Sequence, residues 1–157
     1  GFSSVGLRYF NVFGQRQDPY GAYAAVIPQW FASLIKQETV FVNGDGETSR
    51  DFCYIDNVVQ ANLLASFAQG DATNKIYNVA FGQRTTLNEL FDLIKEEVAR
   101  HKPEVQGAQC VHRDFRAGDV RHSLADISRA ARLLGYGPQF DVRQGLRLAG
   151  DWYAANL

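Results

Sequence analysis

The sequence predicts an α/β fold. Two observations carry that reading. Short apolar and β-branched runs, such as TVFVNG and KIYNVA, alternate along the chain with longer stretches whose apolar residues recur at three- and four-residue spacing. Helix-start signals also precede several of the longer stretches, among them the T-x-x-E pair Thr86 and Glu89.

SSVGLRYFNVFG reads as a buried strand, with Val5, Leu7, Tyr9 and Phe10 leading to Asn11 and a stop at Gly14. QRQDPYGAY is polar and turn-rich and predicts an ordered loop. AAVIPQWFASLIK reads as a helix with Pro28 in its first turn. Its apolar side is Val26 or Ile27, Trp30, Phe31, Leu34 and Ile35. TVFVNG is a short strand and GDGETS a tight hairpin turn. RDFCYI is a second strand, with Phe52 and Tyr54 facing away from Cys53 and Ile55.

Asp56 is the N-cap expected for NVVQANLLASFAQ, which Gly70 ends. KIYNVA is another strand. The Thr86–Glu89 box opens a helix carrying Leu87, Leu90, Phe91, Ile94 and Val98. AQCVHRDF reads as a strand and RAGDVRHS as a polar loop. Asp126 caps ISRAARLL, which Gly135 closes. Asp141 caps the last helix, with Val142, Leu146, Ala149 and Tyr153 on one face. Neither a repeat nor a linker divides residues 1–157.

Composition excludes several classes of function. The formal net charge of -1 offers no electrostatic reason to bind nucleic acid or an anionic membrane. No apolar run approaches the ~20 residues of a membrane span. The two cysteines, Cys53 and Cys110, stand far apart, and His101, His112 and His122 lack ligand spacing, so neither a disulfide framework nor a metal site is expected. The cysteine usage fits a reduced, cytoplasmic setting. The chain opens at Gly1-Phe2 and contains no Met, which reads as a piece of a longer protein.

The glycine string of NGDGETSR resembles a dinucleotide loop, and three features argue against that. A pyrophosphate loop needs a helix behind it, and here a strand follows. Asp45 and Glu47 sit inside the loop, where they repel phosphate. The acid expected about 20 residues on is missing. The glycines then serve a turn, and Arg50 becomes the residue of interest. It either forms a surface ion pair, with Asp51 or an outside acid, or reaches into a pocket.

A second polar knot, DFRAGDVRHS, places Arg116 and Asp119 around Gly118, where a sharp turn lets both converge on one ligand. A guanidinium forks onto phosphate oxygens and a carboxylate accepts from sugar hydroxyls, the chemistry of a nucleotide-diphosphate site. A solvated charged loop is the alternative.

LRYFNVFG, AVIP, NGDGETSRDFCYIDN, YNVA and RAGDVRHS-x-AD, in that order, resemble the extended short-chain dehydrogenase/reductase family acting on nucleotide-activated sugars. RYFNVFG-x-RQDP-x-GAYAAVIP is most similar to its UDP-N-acetylglucosamine 4-epimerases. The resemblance covers essentially the whole chain but only the C-terminal half of such an enzyme. It implies the last strands and helix of the Rossmann sheet plus the smaller substrate-binding α/β domain.

Carried over residue by residue, the resemblance implies that Asn11 touches the diphosphate-sugar and that Phe10 lies against the nicotinamide end of NAD. Gln17 faces the sugar. Ala25 and Val26 line the nucleotide site, and Phe41 to Asn43 lie along the uracil. Arg50 and Arg116 grip the diphosphate, Asp119 binds ribose hydroxyls, and Ser123 sits close by. The implied chemistry is a 4-keto intermediate reached by hydride exchange with NAD, in a homodimer. No tyrosine here has Lys four residues on, and no G-x-x-G-x-x-G loop is present. The catalytic pair and the NAD loop are therefore expected upstream, and this chain alone is expected to be inactive. A dehydratase or decarboxylase of the same family, or a non-catalytic nucleotide-sugar module, remains an alternative.

Overall fold

Strand pairing in this molecule is almost entirely long-range. The computed structural model describes residues 2–21 and 24–157. Ala22 and Tyr23, at the end of the expected QRQDPYGAY loop, lie outside the described residues. Strand β1 (Val5–Tyr9) runs parallel to β6 (Lys75–Val79), in register from Val5↔Lys75 to Tyr9↔Val79. Strand β2 (Val12–Phe13) runs parallel to β5 (Cys53–Tyr54). Strand β3 (Val40–Asn43) runs parallel to β8 (Cys110–Arg113), and β4 (Ser49–Arg50) is antiparallel to β7 (Thr85–Thr86). Helices α1 (Val26–Ile35), α2 (Ile55–Ser66), α3 (Leu87–Ala99), α4 (Ser128–Leu134) and α5 (Val142–Asn156) alternate with them. None of these helices is long and apolar enough to cross a membrane.

Several local expectations hold for the reasons that predicted them. Pro28 sits in the first turn of α1, and Ile27, Trp30, Phe31, Leu34 and Ile35 are buried. Thr86 and Glu89 form a reciprocal capping box at α3, and Asp141 with Gln144 forms another at α5. Gly135 closes α4 in the left-handed region.

Other expectations are corrected. The SSVGLRYFNVFG strand is two strands, because Asn11 adopts a φ of 35° and turns the chain between them. Nor is it fully buried, since Tyr9 is half exposed. GDGETS does not close a hairpin: β3 pairs with β8, and RDFCYI splits between β4 and β5, which belong to different pairs. Asp56 is not the N-cap of α2. The helix starts at Ile55 with Tyr54 as cap residue, so Asp56 lies in its first turn. That helix ends at Ser66, short of Gly70, which opens a 3₁₀ turn instead. At α4 the N-cap residue is Ile127, yet the Asp126 carboxylate accepts from Ser128 N at 2.9 Å.

Residues 52–54 knit two cores together. Phe52 and Tyr54 enter a larger core with α1, α3 and α5. Cys53 faces the other way, into a core with Val58, Tyr77, Val79 and Leu134. The strand alternation expected for Phe52, Cys53 and Tyr54 is thus used to bridge two layers.

Tyr153 shows how α5 holds the loop below β2. Its ring stacks on Phe31 at 4.9 Å and is fully buried. Its hydroxyl donates to the carbonyls of Gly14 (3.0 Å) or Gln17 (3.2 Å), and burial pushes its pKa up to about 12. Tyr153→Phe keeps the packing and strands those carbonyls, so it is expected to cost roughly 1–3 kcal/mol. Urea denaturation of mutant and wild type checks this, and equal midpoints would refute it.

Candidate functional site

The site begins with a segment in which each successive residue meets a different environment. Ser49 and Arg50 form β4 beside Thr86 and Thr85, while Asp51 is sealed from solvent. The Arg50 guanidinium donates through Nη1 to Ser49 O at 2.9 Å. It does not pair with Asp51. It lines a cavity of about 290 Å³.

Opposite it, β3 and β8 supply the next wall. Val42 points into the core, so period two turns Phe41 and Asn43 toward the cavity. The register places Asn43 beside Arg113. Arg113 stacks its guanidinium 4.0 Å from the Phe41 ring centroid, a cation–π contact at a ring that is 44% exposed. Beyond β8 the chain turns through Gly118, and Asp119 N donates to Arg116 O at 3.2 Å. Arg116 and Asp119 both line the cavity. Asn11 and Val26 complete the wall from the β1–β2 turn and the start of α1.

Of the residues expected from sequence, Asn11, Val26, Phe41, Asn43, Arg50, Arg116 and Asp119 are therefore brought to one cavity. Ala25 is the cap residue of α1, between Ala24 and Val26, which both line it. Ser123 and Gln17 are not in its wall. Ser123 N donates to Ser49 O behind it. Gln17 lines a separate cleft of about 210 Å³ with Val12, Phe13 and Ile55. Its Nε2 donates to Val12 O at 3.4 Å, and its buried Oε1 has no hydrogen-bond partner among the described residues. Phe10 is half-buried, held by its amide to Val79 O at 3.0 Å.

Among the lining residues that sequence reasoning missed are Arg113, Thr48, Gln29, Trp30, Phe52 and Leu87. A signal existed for Arg113 alone. Period two in AQCVHRDF puts it on the face of Val111, three residues before Arg116.

The electrostatics point one way. The wall carries three guanidiniums, Arg50, Arg113 and Arg116, against one carboxylate, Asp119, a surplus of two positive charges. Among the described residues none of the four is in an ion pair. Arginines without carboxylate partners in a concave site fit a multiply charged anion, and the planar fork matches phosphate oxygens.

The glycine string contributes shape. Gly44 and Gly46 hold φ of 74° and 77°, and a Cβ on Gly46 would lie 1.9 Å from Asn88 Oδ1. Asp45 in this loop pairs with Arg121 at 2.6 Å, which holds its carboxyl below the usual carboxylate range. The loop leads into β4 rather than a helix, so it lacks the row of helical amides that a pyrophosphate needs. The glycine loop is therefore not a pyrophosphate cradle.

Asp51 keeps the site in place. Oδ1 accepts from Phe81 N (3.1 Å) and Gly82 N (3.2 Å), and Oδ2 from Gly82 N (3.1 Å) and Ala125 N (3.3 Å). Asn11 Nδ2 donates to the Asp51 carbonyl at 3.0 Å. Burial raises the Asp51 pKa above the usual carboxylate value, against the opposing pull of the amides. A raised folded pKa gives stability that is full below the unfolded pKa and lost as pH rises through the folded one. The stability of wild type relative to Asp51→Asn is therefore expected to fall as pH rises from the ordinary carboxylate range toward neutrality. Urea titrations across that range measure it, and a relative stability that rises instead would contradict the assignment.

The model of the NAD dependent epimerase/dehydratase family matches residues 1–80. A putative UDP-glucose 4-epimerase of Methanocaldococcus jannaschii is 35% identical over 150 residues, which span 96% of this chain and 45% of that protein. The crystal structure of a UDP-glucose 4-epimerase from Thermotoga maritima with UDP-glucose is 37% identical, with a TM-score of 0.88 over 98% of this chain and 46% of the other. A UDP-N-acetylglucosamine 4-epimerase from Methanobrevibacter ruminantium, in complex with UDP-N-acetylmuramic acid, is 36% identical, with a TM-score of 0.88 over 99% of this chain and 47% of the other. The chain thus spans about half the length of the relatives it matches. With these matches and this fold, the chain belongs to the NAD dependent epimerase/dehydratase family.

Proposed function

We propose that this chain is the substrate-gripping C-terminal half of a UDP-sugar 4-epimerase, with N-acetylated UDP-sugars as its substrates. The observation that carries the reading is the cavity wall of Arg50, Arg113 and Arg116, in no ion pair among the described residues, beside Phe41, Asn43 and Asp119. In this reading the guanidiniums hold the diphosphate, Phe41 and Asn43 take the uracil, and Asp119 accepts from the ribose hydroxyls. Such a grip draws binding energy from the non-reacting end of the substrate and uses it for positioning. Relatives described as UDP-sugar 4-epimerases, two of them with UDP-sugars bound, support the choice of ligand. Phe10 would face the cofactor, and a proton-transferring tyrosine would come from the other half, since no Tyr-x-x-x-Lys occurs here.

In the complete enzyme, Arg50→Ala and Arg116→Ala are each expected to weaken UDP binding by about 1.5–3 kcal/mol, the worth of a charged hydrogen bond. Lysine restores part of this, because it keeps the charge and loses the fork. Calorimetry with UDP decides it, and unchanged affinity removes that arginine from the site.

The sugar assignment rests on the QRQDP loop. Gln17 carries a buried amide oxygen without a partner among the described residues, next to Gly14 and Gln15. UDP-N-acetylglucosamine is expected to show a higher kcat/KM than UDP-glucose, and Gln17→Ala to narrow that gap. Competition between the two substrates on one preparation measures it. A preference for the plain sugar would overturn the N-acetyl assignment and leave the diphosphate site standing.

A further inference from the structure

The loop that carries Arg116 and Asp119 is solvent-exposed from Asp114 to Arg121, yet it must meet Arg50 at a set distance. Something has to hold it there. Its near end is fixed where Gly44 N donates to Arg113 O at 2.8 Å. Its far end is fixed on β4, and the fixing point is Ser49.

Ser49 is used through every polar atom it has. Its amide donates to Arg121 O at 2.9 Å, and its carbonyl accepts from Ser123 N at 3.1 Å. These two bonds make the isolated parallel bridge Ser49↔His122. Its hydroxyl is 2.9 Å from His122 Nδ1. Ser49 is 4% exposed, so its end of the bond is buried, while His122 reaches it from the exposed side. The same Ser49 carbonyl also accepts from the Arg50 guanidinium. One residue thus ties the two sides of the cavity together, with Arg50 on its own strand and Arg116 and Asp119 on the loop it anchors.

We propose that the Ser49–His122 pair is a latch that positions the diphosphate grip, with His122 as a positioning residue rather than a ligand contact. The inference rests on the UDP-binding reading and adds a residue to it. His122 does not line the cavity. It borders a separate polar groove on the other side of β4, with Ser49, Arg84 and Glu89. Its action on the ligand passes through the backbone of residues 121–123. Losing the hydroxyl–imidazole bond leaves the far end of the loop held by the two Ser49 backbone bonds and the Arg121–Asp45 pair, and the cost of its looser placement falls on binding.

Atom replacement separates this role from bulk stability. An asparagine can put a polar atom where His122 has Nδ1, and a glutamine reaches the place of Nε2. In the complete enzyme, His122→Ala is expected to raise the Kd for UDP about three- to tenfold, the worth of one net hydrogen bond. The loss should fall on KM more than on kcat. His122→Asn should restore most of the affinity, and His122→Gln should not. Ser49→Ala removes one oxygen atom and should match His122→Ala, with the double variant no weaker than either single one. It also serves as the test should His122→Ala fail to fold.

UDP binding by wild type that is matched within twofold by Ser49→Ala and His122→Ala overturns the latch alone. So does an Asn variant as weak as the Ala variant. Wild type that binds no UDP overturns the functional reading and the latch with it.

Discussion

A single carboxylate without access to water organises this molecule. Asp51 takes three backbone amides from two loops, at Phe81, Gly82 and Ala125, and its own carbonyl takes the side chain of Asn11. Four segments remote in sequence meet at one residue. An unpaired carboxylate would be costly in such a place, and each of those amides would be costly without it. The mutual need makes the junction specific. It also explains why Arg50 faces the cavity without an acidic partner among the described residues. The nearest acid in sequence is already engaged with amides.

Residues 49–54 show how much work one short segment performs. Ser49 anchors the 121–123 backbone, Arg50 turns to the cavity, and Asp51 gathers loops. Phe52 and Tyr54 enter one core while Cys53 enters the other. No regular strand of six residues serves so many ends, since its sides alternate between two environments only. The chain accordingly breaks pairing after Arg50 and resumes it at Cys53 with a different partner. Functional and structural demands are met by adjacent residues rather than by separate regions.

The legible part of the fold was its local part. The capping boxes at Thr86 and Asp141, Pro28 in the first turn of α1 and Gly135 at the end of α4 each leave a signature within four residues. Strand partners leave none. Nothing near TVFVNG announces that it pairs with residues 110–113, so by sequence alone the glycine turn reads as a hairpin. Asn11 was legible as polar but not as the positive-φ residue that breaks a strand. In the site, Arg50, Arg116 and Asp119 stood out by charge beside turn residues. Arg113 did not, because its role depends on β3 lying alongside β8. Gln17 was legible as a polar loop residue, but the cleft it lines is set by the packing of Ile55 and Phe13.

The pairing pattern has a kinetic consequence. Val5 waits for Lys75, and Val40 waits for Cys110, so each ladder must close a loop of some seventy residues before its hydrogen bonds repay the lost chain entropy. Topologies of this kind fold slowly, with their unpaired strands exposed in the meantime. The cavity sits between β3, β8 and the segment after β4, so it closes only when those distant pairings are complete. A ligand that bridges its walls therefore recognises the finished topology and draws the population away from half-formed states.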